Sequence, residues 1–509
     1  MLFSSYDFLL LFLPTAVVGF YALGRLGGAM AALVWLLLCS FFFYGWWSPA
    51  FLFLLIASCA VNAALGYYLT STQAPRGSRR SVAALGIAFN LGTLIYFKYA
   101  GFIASNVEAV TGRHFDLGSI VLPLGISFFV FQKIAFLADA YRNEVEAFSI
   151  RRFFLFVFFF PQLIAGPIVH HREIMPQMNE QLGTRVDWAG LAMGLTIFIV
   201  GLFKKTVIAD GIGPYATSVF DAAASGTNVP FVEAWCGTLA YTFQLYFDFS
   251  GYSDMAIGLA LLFGLRLPVN FASPYKAASL IDFWHRWHIT LSRFLRDYLY
   301  IPLGGGRTGT PRRLANVLIV MMLGGFWHGA GWTFLLWGTL HGIGLIANHA
   351  WRLVRGPRGG SSVWAGRIAT FMFVALAWIP FRAADLDSTM LMFRGVFGLN
   401  GIVLPETYLP KLGAIGAWAA THGVTFETGH LFQGVQELAW LAVLLAAVWL
   451  LPNTAEWARY SLVPERAEAP RAAWLTWRPT LYWAGAVSAG AVVALLHVGR
   501  GGEFLYFQF

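Results

Sequence analysis

Histidine is the side chain best suited to move a proton near neutral pH. Several of the 11 histidines in this chain lie in or beside long apolar runs, where an ionisable group is costly and marks a functional site by default. His328 stands in GGFWHGAGW, at the junction of two apolar runs. That setting suits a general base at the neck of a buried cavity, with glycines admitting a substrate. It equally suits a histidine capping a helix-end carbonyl, and the residues alone leave both readings open. His288 lies in FWHRWHITLS, and His285, three residues earlier, falls on the same face of a helix drawn through the segment. Two such histidines with His328 raise the question of a metal. No carboxylate or thiolate completes a recognisable ligand spacing, so none is expected. His341, in LWGTLHG, reads as a buried histidine in a helix–helix contact.

The run YFDFSGYSDMAIG supplies Asp248, Ser250, Tyr252, Ser253 and Asp254 between two apolar segments. Its two acids need partners, and an intramembrane ion-pair network with the arginines of 286–296 is the expected arrangement. His170 and His171, after AGPI, are expected in a solvated loop at the outer end of a span. The chain ends in EFLYFQF. Such a tail serves as an aromatic interfacial anchor, or folds back into a cavity where Tyr506 offers a phenolic nucleophile.

The elements that must position these residues are membrane helices. Hydrophobic residues make up 58% of the 509 and charged residues 12%, and mean hydropathy is +0.64. Soluble domains sit near half apolar and a quarter charged. Long runs such as 17–43 lack the alternation of a barrel, which leaves an all-α, polytopic helical bundle of about 11–14 spans, some re-entrant at Gly and Pro. Apolar segments fall near 7–24, 29–47, 50–70, 82–103, 119–141, 153–170, 189–203, 232–250, 314–328, 333–350, 366–381, 436–452 and 480–497, with a shorter one at 254–266. The first is expected to be a retained span, since it lacks a basic flank and a small-residue cleavage site.

The net charge of +9 points to topology rather than nucleic acid. Arg25, 76–80, 142–152, Lys204–Lys205, 286–313, 352–358 and 459–478 occupy alternate loops, and assigning these to the cytoplasm puts both termini outside. Residues 282–300 read as one amphipathic helix, and 383–434 as an external loop with short helices. The three cysteines, Cys39, Cys59 and Cys236, lie in apolar segments without disulfide or zinc spacing. No internal repeat appears, which disfavours a transporter of inverted repeats.

Five stretches taken together carry a resemblance: LPLGISFFVFQKIAFLADAYR, FFPQLIAGPIVHHREIMPQM, FDFSGYSDMAIGLALLFGLRLPVNFASPY, DFWHRWHITLSRFLRDYLYIPLGG and GGFWHGAGWTFLLWGTLHG. The chain resembles the membrane-bound O-acyltransferase superfamily, in its bacterial branch of alginate and peptidoglycan O-acetylation proteins and the teichoic-acid D-alanyl transfer protein. The resemblance implies one domain over 1–509. It comprises N-terminal spans (1–110), a motif-bearing catalytic core (115–350), and C-terminal spans with the aromatic tail (366–509). It implies a ring of helices around a thinned centre crossed by a tunnel. The W-H-G histidine, His328, is then catalytic, His288 is the second family histidine, and Tyr506 is an acyl relay. An acyl group passes from a cytoplasmic thioester, acetyl-CoA, toward an exported polysaccharide, through a periplasmic acetyltransferase of the SGNH or AlgJ/AlgX kind. The implied location is the cell inner membrane, among lipids. The rival readings are D-alanyl transfer to teichoic acid and a non-covalent transporter or flippase.

Overall fold

The computed structural model describes residues 1–71, 75–145, 148–307, 309–355, 362–427, 434–462, 475–499, 502, 504 and 505. Tyr506 lies outside the described residues. Helices dominate. Among the described residues five are long and apolar enough to cross a membrane: Asp7–Gly45, Pro49–Thr70, Gly77–Thr111, Trp188–Ala224 and Val363–Arg382. Two shorter apolar helices, Val435–Leu450 and Leu481–His497, lie beside them.

The first of these is a hairpin. Gly28 takes φ +73°, open to glycine at little cost, and the chain reverses there. The Trp35 indole then donates to the Ala16 carbonyl at 3.0 Å, and Phe12 stacks on Phe42 at 6.0 Å. Residues 383–434, expected as a loop with short helices, do form the helices Leu386–Val396, Leu409–Leu412 and Ala414–Thr421. They also form a parallel pair of strands, Ile402–Pro405 with Val424–Glu427.

Contacts sort the connections onto two faces. Arg151 meets Met30, Arg79 donates to the Ala140 carbonyl, Gln177 to the Arg266 carbonyl and Arg266 to the Ser461 carbonyl. These segments form an arginine-rich face. On the opposite face Tyr6 donates to Leu495, Tyr44 to Leu124, Trp332 to Asn106 and Asn400 to Val229.

Four segments depart from the sequence reading. Residues 153–170 do not cross. The helix Ile150–Phe158 has nine residues, about 14 Å at 1.5 Å each, against a hydrocarbon core of about 30 Å. Phe159 leaves the helical region ahead of Pro161, and the chain returns to its own face, where His171 Nε2 lies 3.3 Å from the Glu144 carbonyl. His170 and His171 are therefore on the arginine-rich face, and they are buried rather than solvated. The Tyr298 hydroxyl donates to the Asp139 carboxylate at 2.8 Å and lies 3.1 Å from His170 Nδ1.

Lys204 and Lys205 are not in a loop. They sit inside Trp188–Ala224, because acids on the same and the neighbouring helix relieve the cost of burying them. Lys204 pairs with Asp254 at 2.6 Å; Lys205 pairs with Asp210 at 2.7 Å and Asp248 at 2.8 Å. The acids' partners are thus lysines, whereas Arg286, Arg293 and Arg296 pair with Asp282, Glu173 and Asp297. With its acids paired and no proline, the YFDFSGYSD run lies mid-helix in the unbroken Phe231–Leu262. It does not separate two apolar segments.

The segment 282–300 is not one amphipathic helix. Leu280–Trp284 and Ile289–Leu295 are separate helices, and His288 between them takes φ +41°, ψ +54°. The Asn270 carbonyl accepts from the Ile289 amide at 3.0 Å, and this bond to a neighbouring segment replaces continued helix. His285 is exposed and His288 buried, so the two do not share a face.

Candidate active site

His328 is the last residue of the helix Thr310–His328. That helix and the next, Trp332–Arg355, approach closely through glycine: a Cβ on Gly325 would lie 2.3 Å from the Phe334 carbonyl oxygen, and one on Gly338 2.3 Å from that of Met321. Small residues permit such contact between membrane helices. Gly329 ends the first helix in extended backbone, where any Cβ would collide with the Phe334 ring. The WHG sequence is thus a helix end folded sharply against its successor.

The last carbonyls of a helix have no partner within it. Here they are taken up from another element. The Tyr99 hydroxyl donates to the Phe326 carbonyl at 2.9 Å, and the Lys98 ammonium donates to the carbonyls of Trp327 at 2.7 Å and His328 at 2.8 Å. Both residues come from Ile95–Tyr99, a π-helical stretch within Gly77–Thr111. π-Bulges of this kind recur at functional sites. A cation at a helix C-terminus also complements the helix dipole.

His328 is nearly fully buried and rings crowd it: Trp327 at 4.9 Å, Trp337 at 5.2 Å and Phe381 at 5.3 Å between centroids. The His288 ring lies 6.4 Å away. His288 Nδ1 is 3.1 Å from Asn270 Oδ1. That oxygen also faces the Thr290 amide, which can only donate, at 3.3 Å, and the Thr290 hydroxyl at 2.9 Å. The atom at this position is therefore the acceptor of the Asn270 amide. His288 must carry its proton on Nδ1, leaving the Nε2 lone pair to act. The Thr290 oxygen in turn accepts from the Ile168 amide at 3.0 Å, in the re-entrant segment.

A cavity of about 230 Å³ reaches this point. Met1, Leu2 and Trp47 line it near the face that holds Tyr6 and Leu495, and Lys98, Ser127, Trp327 and His328 line its depth. From the arginine-rich face a column of rings approaches the same place: Tyr298 to Phe294 at 5.0 Å, Phe294 to Phe131 at 4.1 Å, Phe131 to Trp327 at 5.0 Å.

The structure thus brings together His328 and His288, and leaves His285 apart. His341 is buried among Trp284, Trp337 and Phe283, and neither of its ring nitrogens has a hydrogen-bond partner among the described residues. The Trp337 ring touches both His328 and His341. Of the C-terminal tail, Phe504 and Leu505 face inward: the Leu505 amide donates to Asp248 at 3.2 Å, and Phe504 packs on Tyr252 and under the Lys205 ammonium. Lys98, Ser127, Asn270 and Thr290 are site residues that sequence reasoning passed over. Lys98 had a signal, a lone cation in the apolar run LGTLIYFKYAGF. Asn270 had none.

These features belong to a known architecture. Residues 119–381 match the family model of MBOAT, the membrane-bound O-acyltransferase family. The "Peptidoglycan O-acetyltransferase" of Helicobacter pylori is 43% identical over 79% of this chain and 81% of its own length. The "Probable alginate O-acetylase AlgI" of Azotobacter vinelandii is 40% identical over 82% of each. The "Teichoic acid D-alanyltransferase" of Bacillus subtilis is 27% identical over 45% of this chain and 60% of its own. The chain belongs to the membrane-bound O-acyltransferase family. It is a multi-pass membrane protein and an acyltransferase.

Proposed function

We propose that the enzyme moves an acetyl group from acetyl-CoA, presented at the arginine-rich face, to a hydroxyl acceptor that reaches His328 through the cavity from the other face. The observation that carries this reading is the cavity ending on His328 with His288 behind it, set across the bundle from the arginines. Clustered arginine marks the cytoplasmic side of a membrane protein, and this supports a reading with both termini facing the periplasm and the chain in the cell inner membrane. His328 acts as general base toward the acceptor hydroxyl. His288, held by Asn270 in one tautomer, lies behind His328 with its ring 6.4 Å away. No metal takes part in this scheme.

The final acceptor is an exported polysaccharide, in line with the names of the relatives above, and a periplasmic SGNH-type or AlgJ/AlgX-like acetyltransferase completes delivery. Tyr506, next to the docked Leu505, is the acyl relay toward that partner. D-Alanyl transfer is the weaker reading, because the D-alanyltransferase named above matches less of the chain at lower identity.

Polymer-bound acetate released by base, measured in cells at matched protein level, tests the scheme. His328→Ala should lower it by roughly 100- to 10,000-fold, the range for a lost general base, with normal insertion. Near-normal acetylation in that variant rejects the base assignment. Tyr506→Phe keeps the ring and removes the hydroxyl. It should also lose polymer acetylation, whereas full activity would leave the tail as an anchor only.

A further inference from the structure

Lys98 has three N–H donors. Two serve the carbonyls that end the His328 helix, at 2.7 and 2.8 Å. The third faces the Ser127 hydroxyl, at 3.4 Å, the outer limit of a hydrogen bond, and the ammonium lies 5.9 Å from the centre of the Trp327 ring. Among the described residues no carboxylate pairs with this ammonium. Three other lysines within apolar helices are placed differently. Lys204 and Lys205 are matched to three aspartates, and Lys133 is turned toward Ser58 and the Phe129 ring. Lys98 instead lines the cavity together with Ser127 and His328. A cation kept at membrane depth without a counter-ion is costly, and the open space beside it is where negative charge would be accepted.

We propose that Lys98 is a further catalytic group, donating to the oxyanion that develops on the thioester carbonyl, with the Ser127 hydroxyl as a second donor. This rests on the acyl-transfer reading above. The acceptor oxygen bonds to the carbonyl carbon, its proton passes to His328, and the carbonyl π pair moves onto oxygen. The weak Lys98–Ser127 contact gives way, and both groups turn their hydrogens to that oxygen. Collapse restores the C=O bond and breaks the C–S bond, and the departing thiolate takes the proton back from His328. Lys98 neither gains nor loses a proton. Because two of its bonds fix the carbonyls of Trp327 and His328, the same ammonium holds the donor and the base in one frame, as a preorganised site requires.

The test uses the full chain in cells, with polymer-bound acetate as readout at matched protein level, and the thermal midpoint of the detergent-purified protein as structural control. Lys98→Gln retains donors for the helix end and removes the charge; Lys98→Met removes both. Each should lose about 100- to 1,000-fold, the cost of one oxyanion donor, and Lys98→Arg should recover part of it. Tyr99→Phe uncaps the neighbouring Phe326 carbonyl without entering the cavity. It should lower the thermal midpoint and keep acetylation within about threefold, a change of under 1 kcal/mol in barrier. Lys98→Gln within threefold of the parent overturns the proposal. So does a loss in Tyr99→Phe matching that of Lys98→Gln with the same fall in midpoint, since Lys98 would then be a helix cap only. If Lys98→Met does not accumulate, Lys98→Gln decides. A chain on which His328→Ala has no effect overturns the acyl-transfer reading itself, and this inference with it.

Discussion

Two clusters of charge lie inside this bundle, and they are built on opposite plans. Around Lys205, each charge has a counter-charge: Lys205 with Asp210 and Asp248, and Lys204 with Asp254, whose carboxylate also accepts from the Thr454 hydroxyl at 2.7 Å. Around His328 the polar groups face neutral carbonyls, rings and a cavity. Both stand on π-helical stretches, Lys204–Ala209 and Ile95–Tyr99, so local backbone does not separate them. Charge pairing and open space do. A matched cluster closes on itself and holds helices and the tail together. An unmatched one beside a cavity leaves its bonding capacity for a substrate. Ionisable residues at membrane depth are thus of two kinds, and the type of residue does not say which.

Breaking the matched cluster should have the largest effect on stability. Lys205→Met strands two aspartates, and removing one partner of a buried pair costs about 3–5 kcal/mol. Its thermal midpoint in detergent should fall sharply, and adding Asp248→Asn should restore part of the loss. A single variant as stable as the parent would show that the cluster is not the clamp described here.

A smaller effect, on activity, is expected at Asn270, which aims His288. Asn270→Ala removes the acceptor of His288 Nδ1–H and of the Thr290 amide and hydroxyl. An unsatisfied buried donor costs about 1–3 kcal/mol, or about 5- to 160-fold in rate if that cost falls on the transition state. Acetylation should drop without loss of expression, and Asn270→Asp, which retains an acceptor, should lose less. Equal activity in both variants would remove the positioning role.

The smallest effect is expected at His285, which shares the WHRWH segment with His288. His288→Ala should impair acetylation severely. His285→Ala, at an exposed position, should change stability by no more than about 0.5 kcal/mol and leave activity near the parent's. Matching losses, restored by added zinc, would support a shared metal in place of this division.

Much of this was legible in the residues. The apolar excess required a membrane bundle, because backbone groups in lipid must bond to one another. The WHG motif pointed to His328, and the arginines marked one face. That Asp248 and Asp254 need cations was also readable, since a buried charge without a partner is too costly to keep. Which cations, however, depended on contacts across helices. Lys204 and Lys205 looked like a loop because the topological rule counts charge along the chain, while their acids lie more than 40 residues on or five residues further along the same helix. The re-entrant path of 153–170 was hidden for a similar reason. Its length and apolarity suit a span, and only the meeting of His171 with Glu144 shows that both ends share a face. The break at His288 came from Asn270, a residue 18 positions away, which outbids helical periodicity with bonds that no local pattern encodes. Composition and periodicity are properties of neighbours in sequence, so the residues alone gave the solvent and the element type and singled out His328 as a candidate. Charge pairing, re-entry and the placing of the Lys98 ammonium beside a cavity are properties of neighbours in space, and they emerge only when the helices pack.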